Sequence, residues 1–159
     1  MMELKPIASF QVDHTKLTEG MYISRVDGDV TTYDLRTRRP NCGDYMDHST
    51  MHTAEHMLAT YLRNGELAAD ILYFGPMGCQ TGFYLLVRNA DPERTMTALR
   101  RALRQVVEHR GEVFGDSPVE CGNYRTLDLK AAQDECARYL QALEGWTPER
   151  LAYPKGEDK

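Results

Sequence analysis

Apolar positions fall three or four residues apart along three stretches of the chain, the spacing that lines one face of an α-helix. The first stretch runs from Ser49 to Asn64, with Met51, Ala54, Leu58 and Leu62 in register, Asp47 or Ser49 as the cap and Gly65 as the stop. The second opens on "DPER", where Asp91 caps and Pro92 takes the first helical position, and it runs to Arg110 before Gly111. Thr95, Leu99, Ala102, Leu103 and Val106 form its stripe, with Arg100, Arg101 and Arg104 outside it or at its edge. The third begins at Asp128 and ends before Gly145, with Leu129, Ala132, Cys136, Tyr139, Leu140 and Leu143 on one face. Between the helices, "SFQVDH", "MYISRV", "DVTTYDLR", "ADILYF", "GFYLLV" and "PVECGNYR" are rich in β-branched or aromatic residues and read as strands. Asp27-Gly28 supplies a two-residue hairpin turn, and "GPMGCQTG", Gly75 to Gly82, a tight loop. Hairpin-linked strands among amphipathic helices predict an α+β fold: a largely antiparallel β-sheet with helices packed on one face, in a single domain.

Composition narrows the class. A chain of 159 residues and 18.2 kDa is long enough for one hydrophobic core and short for two. The expected division is one catalytic domain over residues 1–152 and a flexible polar tail, "YPKGEDK", over 153–159. A net charge of −5 and a pI near 5.5 argue against nucleic acid as a partner. No apolar run approaches the roughly 20 residues that span a bilayer, and "MMELKPIASF" lacks a basic head followed by an apolar stretch. The expectation is therefore no membrane partner and a cytoplasmic location. Cys42, Cys79, Cys121 and Cys136 are widely spaced without a CxxC pair, which favours thiols or ligands over disulfides.

The chemistry starts at "HTAEH". On a helix, His52 and His56 lie one turn apart on the same side, beside the apolar stripe, with Glu55 between them and it. That pattern can hold a metal ion and bring a carboxylate next to it; two half-exposed histidines and a solvated glutamate are the plain alternative. A catalytic site of this kind needs a third protein ligand and an open position. Cys121, at the end of an expected strand beside Gly122, is one candidate, against the ordinary fate of a small buried side chain. Cys136 falls on a helical stripe and Cys42 has no partner at ligand spacing, so both read as structural. Cys79, in "PMGCQTG", has little bulk around it, and a reactive thiol needs such access together with a positive neighbour.

"SFQVDH", "YDLR" with the following "PN", "HTAEHMLA", "PMGCQTGFYL" and "CGNYRTLDL" stand in the order and approximate spacing of the S-ribosylhomocysteine lyases, the LuxS enzymes, which the chain resembles over nearly its whole length. The resemblance implies that His52, His56 and Cys121 are metal ligands and that Glu55 and Cys79 are the catalytic acid/base pair. It implies substrate contacts from Ser9, His14 and Arg36, with Arg36 offering paired hydrogen bonds to a carboxylate. It also implies a homodimer with active sites at the interface. One divalent transition metal per chain is expected; the family is associated with Fe(II), often replaced by zinc on purification, and the ligand set also suits Zn(II) or Co(II). One position departs from the family: Tyr73 stands in "ILYFGPMGC" where an acidic residue is usual, which bears on how the sugar is held.

The reaction so implied cleaves S-ribosylhomocysteine to homocysteine and 4,5-dihydroxy-2,3-pentanedione, the precursor of autoinducer-2, which would place the chain in the methyl cycle and in quorum sensing. The sugar carbonyl migrates from carbon 1 to carbon 3, and the carbon 5 thioether then leaves by β-elimination. Two other readings compete. An inverzincin-type metallopeptidase would use Glu55 to activate water, with Glu135 as the nearest third ligand; a non-catalytic zinc-stabilised module would close its site with Cys79 or Cys42.

Overall fold

The computed structural model describes residues 2–89 and 91–154. Four strands form one antiparallel sheet: β1 (Gly20–Asp27), β2 (Val30–Arg36), β3 (Ile71–Pro76) and β4 (Gly82–Arg88), in the order β1-β2-β4-β3. Rows of side chains run straight across it. Ile23, Tyr33, Leu85 and Phe74 form one, and Met21, Leu35, Phe83 and Pro76 the next, on the face that meets the helices. Alternation sends Tyr22, Asp34, Tyr84 and Gly75 to the opposite face. The helices are α1 (His48–Arg63), α2 (Pro92–Glu108) and α3 (Leu129–Ala142); they pack on one another, and α1 lies against β3. Their inward stripes are those the apolar spacing implies, with Ala54, Leu58, Leu62, Leu99, Leu103, Val106, Cys136 and Tyr139 all buried. Aspartates cap each of the three: Asp47 accepts from the Thr50 amide, Asp91 from Arg94 and Asp128 from Ala131. The α+β architecture agrees with the sequence.

Several local expectations do not hold. "SFQVDH" is not a strand: Ala8–Phe10 is a single 3-10 turn, and Phe10 is 74% exposed. The Asp13 side chain takes the amide and hydroxyl of Thr15 instead, a local turn that competes with strand pairing. "PVECGNYR" is not a strand either, so Cys121 stands in a turn. There the Ser117 carbonyl accepts from the amides of Glu120 and Cys121, and Tyr124–Thr126 is a further 3-10 turn. The first hairpin loop is Gly28-Asp29, one residue on from expectation, with Gly28 at φ 60. Helix α2 stops at Glu108, because the His109 ring is held outside it between the Tyr61 hydroxyl and the Glu112 carbonyl.

The C-terminal segment is tied to β1 and β2. The Leu151 carbonyl accepts from the Ile23 amide, Trp146 Nε1 donates to the Met21 carbonyl, and Tyr153 stacks on Tyr22 with ring centroids 5.3 Å apart. Tyr153, expected to open the flexible tail, is thus held in place; residues 155–159 lie outside the described part of the chain.

Candidate active site

Helix α1 sets the first half of the site. His52 and His56 project from successive turns, and their ligating atoms and Cys121 Sγ all lie within 4.8 Å of one another. His52 Nε2 is 3.3 Å from Cys121 Sγ. The remaining ring nitrogens are occupied in a way that fixes both tautomers. His56 Nδ1–H donates to the Phe114 carbonyl at 2.7 Å. His52 Nδ1 meets Thr126 Oγ1 at 2.9 Å, and that hydroxyl donates its own hydrogen to the Asn123 carbonyl, so it accepts from His52. Each imidazole therefore turns a bare Nε2 lone pair toward Cys121. Oriented rings of this kind, with a fixed outer partner, suit a metal ion. The Cys121 sulfur in turn accepts from the Asn123 amide at 3.4 Å.

The carbonyl that orients His56 is itself built in. Phe114 packs edge-on against Tyr61 and His109, and Gly115 follows at φ 72, where a Cβ would come 3.0 Å from His56 Nδ1. Only glycine meets both demands. The functional pattern in the sequence did not single out Phe114, Gly115 or Thr126; the glycine beside an aromatic in "EVFGD" is the one visible trace. Glu55, on the same helix, is half-buried; burial raises its carboxyl above the usual range, opposed by the charge of His56.

The second half gathers around Cys79. A surface cavity of about 360 Å³ is lined by Ser9, Phe10, His14, Arg36, Met77, Cys79 and Tyr84 among others. It brings together all three expected substrate contacts and the expected catalytic thiol, but none of the metal group and not Glu55. A link between the halves runs through the backbone: the Met46 amide donates to the Gln80 carbonyl at 3.0 Å, and the Gln80 side chain donates to the Met46 carbonyl at 2.9 Å. Met46 directly precedes the cap of α1, so the Cys79 loop is fastened to the entry of the histidine helix.

Arg36 differs from expectation. It is 2% exposed, and its paired hydrogen bonds go to Asp34, from Nε at 3.1 Å and Nη2 at 2.6 Å, not outward to a ligand. Its free edge, Nη1, donates to Thr81 Oγ1 at 2.7 Å and lies 3.8 Å from Cys79 Sγ. Arg36 is the positive neighbour that a reactive thiol calls for. Tyr73 lies over Gly75, half exposed, and lines the adjoining cavity with Ser9 and Tyr84.

Glu135 and Cys42 stand outside the His52–His56–Cys121 group. Glu135 is 3% exposed and bound at both oxygens by Arg38, at 2.9 and 2.6 Å. Cys42 is an exposed loop thiol, not a structural one, and Cys136 is buried, which pushes its thiol far up.

The chain is similar to known proteins over nearly its whole length. The family model described as S-ribosylhomocysteinase (LuxS) matches residues 7–150. An S-ribosylhomocysteine lyase of Desulfotalea psychrophila is 43% identical over 158 residues, which cover 95% of this chain and 99% of that one. One from Phocaeicola vulgatus is 43% identical over 161 residues, covering 97% and 100%. One from Clostridium acetobutylicum is 39% identical over 158 residues, covering 96% and 100%.

Proposed function

This chain belongs to the S-ribosylhomocysteinase (LuxS) family, and on that premise we propose that it cleaves S-ribosylhomocysteine to homocysteine and 4,5-dihydroxy-2,3-pentanedione. The observation that carries the reading is the convergence of His52, His56 and Cys121 on one point, with both histidines on the helix that also bears Glu55. His52, His56 and Cys121 would hold a divalent ion, which would supply a Lewis acid for enediolate-like charge at the migrating carbonyl. Two imidazoles and a thiolate suit Fe(II), Zn(II) or Co(II), with Fe(II) the native choice by family likeness.

The chain's own side chains then hold and move protons. Glu55, whose carboxyl is raised by burial, serves as the acid/base group for the carbons nearest the metal group. Cys79, exposed at the rim of the cavity, serves as its partner acid/base. In the last step a base removes the carbon 4 proton, the electron pair forms the carbon 4–carbon 5 double bond, and the carbon 5–sulfur bond breaks. Homocysteine leaves as a thiolate and takes up a proton. Ser9 and His14 present polar groups from the cavity wall and are assigned to the substrate, while Arg36 acts on the site from behind Cys79.

The same reading makes the protein a homodimer with its sites at the interface. Met2, Leu4, Ile7 and Phe10 are 86, 83, 60 and 74% exposed, more apolar surface than a free arm usually carries. Ile7 lines a cavity with Tyr73, Tyr84 and Leu86 over the sheet face that the helices leave open. No described helix is long and apolar enough to cross a membrane; the cytoplasm is the compartment proposed, and nucleic acid is not proposed as a partner.

Anaerobic incubation with S-ribosylhomocysteine followed by thiol detection tests the activity. Release of homocysteine by the metal-loaded protein is expected; none from protein of full metal content overturns the reading. Metal content of Cys79→Ala separates it from a zinc-stabilised module, which would lose its ion.

A further inference from the structure

Behind Cys79 lies a chain of polar contacts that the proposed reaction has not yet used. Tyr153 Oη donates to Asp34 Oδ2 at 2.7 Å. Asp34, 1% exposed, grips Arg36 through both carboxylate oxygens. Arg36 Nη1 donates to Thr81 Oγ1 at 2.7 Å, and Thr81 Oγ1 lies 3.0 Å from Cys79 Sγ. Thr81 is 2% exposed, so no bulk water competes for its hydroxyl. An oxygen that accepts from a guanidinium still has one hydrogen to give, and the positive charge behind it strengthens that donation. The only nearby acceptor in the described contacts of Thr81 Oγ1 is the Cys79 sulfur.

We propose that Thr81 is a positioning residue for Cys79: its buried hydroxyl, held by Arg36, donates to the sulfur and fixes both where Sγ points and how readily it reacts. The inference rests on Cys79 as the acid/base group, but the contact stands on its own geometry. The backbone explains why Thr81 sits there. Gly82 pairs with Arg36 across the sheet, and a Cβ on Gly82 would collide with the Leu35 carbonyl. Close approach of β4 to β2 at that pair brings the Thr81 hydroxyl against the guanidinium. The Thr81 carbonyl accepts from the amides of Thr37 and Arg38, both at 3.0 Å, which pins the residue from the other side. Asp34 and Tyr153 act one step further back, keeping the Arg36 fork turned so that Nη1 faces Thr81.

The test uses Thr81→Val, which keeps the shape and removes the hydroxyl, and Thr81→Ser, which keeps the hydroxyl. In metal-loaded protein, the rate of Cys79 alkylation by iodoacetamide is read on the Cys79 peptide by mass spectrometry, apart from the exposed Cys42. Loss of the hydrogen bond to the sulfur predicts a fall of about tenfold in Thr81→Val. kcat should fall by a similar factor with KM little changed, and Thr81→Ser should restore both. If valine does not fold, Thr81→Ala carries the same test, with metal content and circular dichroism as controls. Alkylation at the wild-type rate in the hydroxyl-free variant overturns the inference, even where Cys79→Ala is inactive. Slowed alkylation with unchanged turnover supports it and removes the catalytic role from Cys79 instead.

Discussion

Glu55 and Cys79 are the proposed acid/base pair, and neither belongs to the His52–His56–Cys121 group. That separation makes a sharp expectation. Glu55→Gln and Cys79→Ala should keep the fold and the metal, by elemental analysis, while turnover falls by about 10²–10⁴-fold, the usual weight of a general acid or base. His56→Ala or Cys121→Ala should instead lose most of the metal; full metal content in both would remove the ligand assignment. A second residue-scale effect concerns stability. Arg38 is 15% exposed and closes on Glu135, buried at 3%, while its other edge meets Asp44. Replacing Arg38 by alanine strands the Glu135 carboxylate in the interior, a change that typically costs about 3 kcal/mol. Urea unfolding should show it as a lower midpoint with metal content retained, and Glu135→Gln in the same background should recover part of the loss. His52, Glu55, His56, Cys79 and Cys121 stood out in the sequence because each sits in a short motif of distinctive residue types, and the family resemblance supplied their proposed roles. Asp34, Thr81 and Phe114 did not, because a common side chain or a carbonyl becomes functional only through what the fold brings beside it.

Helix α1 carries His52 and His56 of the candidate metal group together with Glu55, so its first turn matters beyond its own length. Asp47 caps it, and hydrogen bonding by Thr50, side chain first and backbone amide second, holds the Asp47 carboxyl below the usual range. Asp47→Ala should lower stability by about 1 kcal/mol. The sign of its pH dependence follows from the depressed folded value. The cap's contribution is complete above the unfolded carboxylate value of about 3.9 and is lost as pH falls through the lower folded value. Thermal melts of wild type and Asp47→Ala should therefore differ near neutrality and draw together below about pH 3.9; a constant gap would assign the effect to something other than the charged cap. Helices were legible in the sequence because their signals are local: an aspartate cap, a 3.6-residue stripe, a stop. Strands were legible only where a neighbour existed. "MYISRV" and "GFYLLV" found partners, whereas "SFQVDH" and "PVECGNYR" have the composition of strands and no sheet edge taking them up. In the second, Pro118 lacks an amide hydrogen and Ser117 takes the nearby amides locally, both of which work against a ladder.

At the scale of the whole molecule, the sheet spends one face on the core and leaves the other to Tyr84, Tyr73, Leu86 and the N-terminal arm. That arm supplies Ser9, Phe10 and His14 to the Cys79 cavity, yet it has almost no regular structure of its own. An ordered apolar arm with Phe10 and Ile7 open to water is unfavourable in an isolated chain, since each fully buried side chain of that size is worth about 2 kcal/mol. Burial against a second copy, the dimer proposed above, would resolve this and close the cavity at the same time. Deleting residues 1–14 should accordingly shift the protein toward monomer in sedimentation velocity and raise KM for S-ribosylhomocysteine by tenfold or more, on the order of 1.4 kcal/mol. His52, His56 and Cys121 lie on α1 and the loop after α2, with partners drawn from Phe114, Asn123 and Thr126. None of those is in the arm, so metal content should be unchanged. A full-length protein that sediments as a fully active monomer, or a truncated one with wild-type KM, would refute the interface. Loss of metal on truncation would place the arm in the fold of the metal group instead.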